Sequence, residues 1–442
     1  MRLPAATAGN LVRPAGDPAR AALLRLSLIE LWERFSYYTL LTLLPLFLVA
    51  PPAQGGLAWE PARALGFYGV VMAVVQILPF PCGLAGERRL GNRRALQLGA
   101  WLMMAGHLMM GAMAFASAAH LVPLLIVALG LVALGNGFFK PNISAMVGRL
   151  PHRNAAAADA AFGTFYVWVN MGAAAASLIA GYAADRFGWH LAFSLAAIGM
   201  AIALILMRLF AATAIDPVAS VPGGAASGAD ARTAPDGWLP ALLAILLLSV
   251  LFAVALYQVF GTISLFAERR VDRDVLGFTI PTGWFLALNP IVMILLMPPL
   301  ARAWREGRGP GHAWPPTTKM RTGFLILALA FTLLLAAVLQ ADDDLASPLW
   351  IFGCVMLITT AELFIGPVAL AAVSRLAPPD RAVAAMGGFV AALGIGGLGA
   401  GQLGALAATL GPLPVVSSVI LGALLTAVLV WQLAPWFARR GV

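Results

Sequence analysis

The chain has 442 residues, of which 61% are hydrophobic and 11% charged, and its mean hydropathy is +0.89. Soluble domains carry roughly 25% charged residues, so an ordinary soluble globular protein is excluded and a membrane protein is indicated. The net charge of +9 does not point to nucleic acid, because the basic residues fall in short clusters between apolar runs rather than on one face.

Residues 1–22 lack the succession of basic residues, short apolar core and small-residue cleavage site of a leader peptide, and read as a disordered Arg/Ala/Pro tail. A membrane-spanning helix needs about twenty mostly apolar residues, with breaks where Pro, Gly and charge cluster. Twelve such runs follow, at about 24–49, 65–86, 94–116, 120–148, 158–182, 189–211, 238–266, 281–301, 322–340, 348–375, 383–408 and 414–436. The Ala/Gly/Ser/Pro/Asp-rich gap between the sixth and seventh reads as a flexible linker. The predicted organisation is therefore a tail over 1–22, a six-helix bundle over 23–212, a linker over 213–236 and a second six-helix bundle over 237–442.

Lys and Arg accumulate on the cytoplasmic side of a bilayer. With the N-terminus inside, 21 of the 28 basic residues fall on that side and five, Arg63, Arg186, Arg269, Arg270 and Arg273, on the other. Both termini, the tail and the linker are thus expected in the cytoplasm, with the chain threaded through the cell (inner) membrane. The fourth and tenth runs also echo each other, Pro141 preceding Val147-Gly148-Arg149-Leu150 as Pro367 precedes Val373-Ser374-Arg375-Leu376. Six plus six helices with an internal repeat is the pattern of the major facilitator fold, whose substrate site lies at mid-depth between the halves.

Five charged residues fall well inside apolar runs: Glu30, Glu33, Arg34, Lys140 and Glu362. At about 3 kcal/mol each, leaving them against lipid would cost roughly 15 kcal/mol, so they must face one another or a wet cavity. Three acids against two bases leave one negative charge unbalanced, and a conditional proton site is the natural result; protons are thus an expected partner. The alternative is a static ion-pair network that only fixes helix packing.

Glu30, Glu33, Arg34, Tyr37 and Tyr38 stand at i, i+3, i+4, i+7 and i+8, one face of the first helix, with Glu30 and Arg34 spaced for an ion pair. The two tyrosines either pack or meet substrate. Lys140 precedes Pro141, which removes a backbone donor and loosens the helix where it can line a cavity. A buried lysine can change protonation, whereas an arginine cannot. His107, the one mid-span histidine, reads as a packing residue with a proton relay as the lesser alternative. Cys82 and Cys354 show no metal or disulfide spacing, and no metal site, cofactor motif, phosphate loop or nucleophile motif is present. A membrane-embedded enzyme or a receptor is disfavoured for want of a catalytic constellation or a sizeable extramembrane domain.

At these residues a resemblance emerges. Glu30-Leu31-Trp32-Glu33-Arg34-Phe35-Ser36-Tyr37-Tyr38 resembles the ExxERFxYY signature of the proton-dependent oligopeptide transporter family. Phe139-Lys140-Pro141-Asn142-Ile143-Ser144 and Phe165-Tyr166-Val167-Trp168-Val169-Asn170-Met171-Gly172 are similar to its fourth- and fifth-helix motifs. Phe266-Ala267-Glu268-Arg269, Leu288-Asn289-Pro290 and Glu362-Leu363-Phe364-Ile365-Gly366-Pro367 resemble motifs of its second half. The resemblance implies an all-α membrane protein of the major facilitator fold, a proton-coupled symporter of di- or tripeptides or similar small molecules that works by alternating access and is not an enzyme. It further implies that Glu30, Glu33, Arg34, Lys140 and Glu362 couple protons, and that Arg34, Tyr37, Lys140, Asn170, Asn289 and Glu362 line the substrate. Glu87-Arg88-Arg89-Leu90-Gly91 resembles the facilitator loop between the second and third helices, making Glu87 and Arg88 gating residues.

The departures bear on the cargo. Leu41 replaces a second first-helix arginine, Gln76 a second-helix tyrosine, Tyr257 a seventh-helix glutamate and Thr39 a glycine. They leave open a proton-coupled carrier or exporter of a non-peptide solute. The linker is also too short for the two extra helices of many bacterial members, so only the basic twelve are expected.

Overall fold

The computed structural model describes residues 17–150, 155–210, 237–309, 313–378 and 381–440. Its helices are α1 (Asp17–Val49), α2 (Pro61–Ile77), α3 (Pro79–Ala85), α4 (Asn92–Ala112), α5 (Ala118–Gly148), α6 (Ala155–Phe187) and α7 (Trp189–Leu209). After the chain resumes come α8 (Trp238–Leu256), α9 (Ser264–Arg270), α10 (Thr282–Arg305), α11 (Pro316–Asp343), α12 (Pro348–Leu376), α13 (Ala382–Leu410) and α14 (Pro412–Ala438). A two-residue hairpin, β1 (Asp274–Val275) with β2 (Phe278–Thr279), joins α9 to α10.

Proline opens α2, α11, α12 and α14, where a missing N–H costs nothing and the fixed φ suits the first turn. Among the described residues eleven apolar stretches are long enough to cross a membrane, α2 running on into α3 and α8 into α9 as single spans. With α1, equally long but carrying buried ionisable groups, they are consistent with the twelve expected. Observed helices overrun the apolar runs at most ends, because a helix continues through the headgroup region after its sequence turns polar. Thus α1 begins at Asp17, inside the segment read as a tail. The expected linker, 213–236, falls wholly within 211–236, outside the described residues. Sequence reading missed the wide turns at Gly86–Leu90 and Val259–Ile263 and the hairpin.

Before the 211–236 gap, α1 packs on α6 and α7, and α4 on α5 and α7; after it, α8 packs on α12 and α13, and α11 on α12 and α14. The two sets meet along α2 with α13 and α6 with α10. At the hairpin end these contacts are backbone to backbone. A Cβ on Gly401 would lie 2.4 Å from the Gly69 Cα, and one on Gly283 2.9 Å from the Gly181 Cα. Trp284 adds a bond from its indole nitrogen to the Leu178 carbonyl, 3.1 Å away. Leu46, Leu65 and Leu265 form a small apolar plug beside these seams. At the opposite end Phe80 on α3 lies against Gly387 on α13. Tyr166 on α6 is 38% exposed.

Candidate functional site

Helix α1 delivers the ionised cluster because 3.6 residues per turn put its polar stripe on one side. The Arg34 Nε lies 3.1 Å from Glu30 Oε1, and its guanidinium donates to both Glu33 oxygens, 2.7 Å from Nη2 to Oε1. Asn136 Nδ2 on α5 donates to the same Glu33 oxygen at 3.1 Å. All three ionised groups are buried, Glu33 completely. The face of the Tyr37 ring covers the guanidinium, with 4.7 Å from Cζ to the ring centre, a cation–π contact that replaces lost hydration. Arg34 is therefore fully committed to its neighbours. One oxygen, Glu30 Oε2, is buried without a partner among the described residues.

Lys140, half-buried on α5, stands one turn beyond Asn136, within electrostatic reach of Glu30, Glu33 and Arg34. It forms no ion pair among the described residues, and its ammonium is left available. The loosened helix around Pro141 is filled by Gly83 and Gly86, small enough to lie against Pro141 and Asn142. Asn142 Nδ2 donates to the Phe138 carbonyl at 2.7 Å.

Glu362 lies on α12, across the interior from the cluster. Asn289 Nδ2 on α10 donates to Glu362 Oε2 and to Thr359 Oγ1, both at 3.0 Å. Between the two groups stands Tyr38, within electrostatic reach of Glu362, Arg34, Glu33 and Glu30. Its ring contacts those of Tyr37 (5.5 Å) and Phe260 (6.0 Å). Tyr166 and Tyr257 also reach the Glu362 and Tyr38 surroundings, so five of the six tyrosines, with Tyr68, gather around one space.

The structure thus brings Glu30, Glu33, Arg34, Tyr37 and Lys140 together, and places Asn289 with Glu362 opposite. Asn170, also expected here, is buried and bonds the Tyr166 carbonyl of its own helix at 2.9 Å. The backbone of Glu87 and Arg88 lies in the turn Gly86–Leu90, and their side chains are outside the described set. His107 is fully buried in α4 with neither ring nitrogen partnered among the described residues, and nothing links it to the cluster. Sequence reasoning missed Asn136 and Thr359 as site residues. Asn136 stands one turn before Lys140 and Thr359 one turn before Glu362, each in an otherwise apolar run, and that spacing was the available signal.

Among the described residues, no group of histidine, cysteine and carboxylate side chains is placed to hold a metal. A bundle of membrane-length helices whose ionised groups collect in its interior is the framework of a multi-pass membrane protein.

The chain belongs to the POT family, whose model matches residues 93–212 and 239–411, and it has the major facilitator fold. It is 30% identical to the peptide transporter YePEPT of Yersinia enterocolitica subsp. palearctica, with 86% of each chain covered. It is 27% identical to a di-/tripeptide transporter of Lactococcus lactis subsp. cremoris, covering 80% of this chain and 83% of that one. The crystal structure of a peptide transporter POT in complex with sulfate superposes with a TM-score of 0.84 at 23% identity, over 98% of this chain and 97% of that one. A POT family transporter in complex with 5-aminolevulinic acid gives 0.83 at 22% identity, over 97% of each. Members of the family are transporters, and the chain is a transporter rather than an enzyme.

Proposed function

We propose that the chain is a proton-coupled symporter of di- or tripeptides or peptide-like small molecules in the cell (inner) membrane. Its termini are cytoplasmic, and the bundles 23–212 and 237–442 rock against each other. The observation that carries this reading is the buried Glu30–Glu33–Arg34 cluster with Lys140 unpaired beside it and Glu362 opposite. Three acids share two bases, so a proton arriving on one acid changes which group holds Arg34 and Lys140. Glu30, with one oxygen unpartnered, is the natural first acceptor on the cluster side. An ammonium on the cargo is met by Glu362, held by Asn289, while Tyr37, Asn170, Lys140 and Arg34 line the opposite wall. Glu87 and Arg88 stabilise one gating state. Peptide cargo draws further support from the names of the Yersinia and Lactococcus relatives.

In this reading the hairpin end faces outward, and the glycine seams hold the two halves together there. The test is uptake into proteoliposomes under an imposed gradient, acid outside, with pooled di- and tripeptides as cargo. Uptake should require the gradient, collapse with a proton ionophore and bring protons in with the peptide. Peptide uptake indifferent to the ionophore would remove proton coupling, and failure of every peptide in the pool would remove the cargo.

A further inference from the structure

Two residues that set this chain apart touch each other. Gln76 Nε2 on α2 donates to the Tyr257 hydroxyl at the end of α8, at 2.7 Å. Among the described residues it is a side-chain to side-chain hydrogen bond that joins the two bundles. It is uncharged, and it lies at the depth of the chamber: the Tyr257 hydroxyl is within reach of Tyr38 and Glu362. Gln76 sits on Gly394 and the Tyr257 ring against Gly397, so α13 holds both from behind. The phenol's own proton and the carboxamide's oxygen have no partner among the described residues. The pair therefore offers a solute two donors, the phenol O–H and the second carboxamide N–H, and one acceptor, the carboxamide oxygen.

The charges around the same space are unevenly spent. Glu30 and Glu33 balance Arg34 and Lys140 on the first bundle, so that wall carries no net charge. Glu362 stands on the other bundle with only neutral partners, Asn289 and, through it, Thr359. Leu41, buried at 4% exposure, adds no cation. A solute that satisfies this chamber brings one positive charge for Glu362 and an uncharged group that both donates and accepts. A carboxylate can take the two donors but leaves the Gln76 oxygen without a partner, whereas an amide answers donors and acceptor alike.

Resting on the transport reading above, we infer that Gln76 and Tyr257 are specificity-determining residues that read a neutral amide end. The substrate class is then singly cationic peptide-like solutes, an ammonium at one end and a carboxamide at the other, as in peptides whose carboxyl is amidated.

The probes are alanyl-alanine and alanyl-alanine amide, competing for binding and for gradient-driven uptake of a labelled peptide from the pool. In the wild type the amide should compete at least as well as the free acid. Tyr257→Phe keeps the ring and loses the donor, and should weaken the amide about tenfold while leaving the acid within about twofold. Gln76→Leu should do the same from the acceptor side. A free acid that beats the amide about a hundredfold in the wild type overturns the inference, as do variants that weaken both forms equally. If pooled peptides still carry protons inward in either of those cases, the transport reading stands without it. If no peptide or amide moves protons, both fall together.

Discussion

Lys140 and Glu33 show how single side chains divide the work of the site. Arg34 is held by two carboxylates and a ring face, so its charge is spent on structure; Lys140 is half-buried and unpaired, so its charge is free to respond. We predict that Lys140→Gln reduces gradient-driven uptake to that of protein-free vesicles while yield and thermal midpoint stay near wild type, since the helix keeps its length and apolar surroundings. Near-normal driven uptake in this variant would exclude Lys140 from coupling. Asn136→Leu should act the other way, because it removes a hydrogen bond to the buried Glu33 carboxylate without touching a charge. Hydrogen bonds to charged groups contribute about 1.5–3 kcal/mol, and a loss of that order should appear as a lower thermal midpoint. An unchanged midpoint would mean that Arg34 alone satisfies Glu33. The charged members of the site were legible in the sequence because ionised residues inside apolar runs are costly and therefore conspicuous. Asn136, Thr359 and the Gln76–Tyr257 contact were not, since an uncharged polar residue costs little to bury and its partner lies on a helix distant in sequence.

At the scale of the helix, the apolar runs told nearly everything about existence and little about ends or breaks. All the expected spans have helices, but α2 and α8 each pass through a turn or second segment before reaching the far end, at Pro79 and at Val259–Ile263. Hydropathy is blind to such breaks because the residues that make them, Val259-Phe260-Gly261-Thr262-Ile263, are as apolar as their neighbours. The close approach of α2 to α13 was equally invisible, since a glycine in a membrane helix does not announce its partner. That approach is testable at Gly401, where a methyl group would meet the Gly69 backbone rather than a movable side chain. Overpacking of this kind costs about 1–3 kcal/mol, charged only to the state in which the two helices touch. Gly401→Ala should therefore shift the population toward the form open at the hairpin end. A cysteine placed at Leu46, in the apolar plug, should then react with an impermeant thiol reagent at least about tenfold faster from that side. An unchanged labelling rate would show that the seam relaxes without opening.

For the whole molecule, orientation rests on the distribution of basic residues and is open to a direct measurement. With Cys82 and Cys354 replaced, both buried and neither bridged, a cysteine at Asp344 should be labelled from outside intact cells. One at Arg308, 79% exposed at the other end, should be labelled only after permeabilisation. The reverse pattern would invert the molecule. The helix order followed from apolar runs and breaks, and the spans found are consistent with the twelve expected, while the way the halves meet did not follow, because it depends on contacts between α2 and α13 and between α6 and α10. Those contacts have a further consequence. Where Gly69 meets Gly401 and Gly181 meets Gly283, main chain lies against main chain, and those contacts need no re-sorting of rotamers when they part or re-form. In the proposed function cargo is met, by contrast, by phenols, amides and ions on other faces of the same helices. The door and the lock are thus made of different material, so the residues that choose a cargo can be exchanged by an engineer without rebuilding the movement that delivers it.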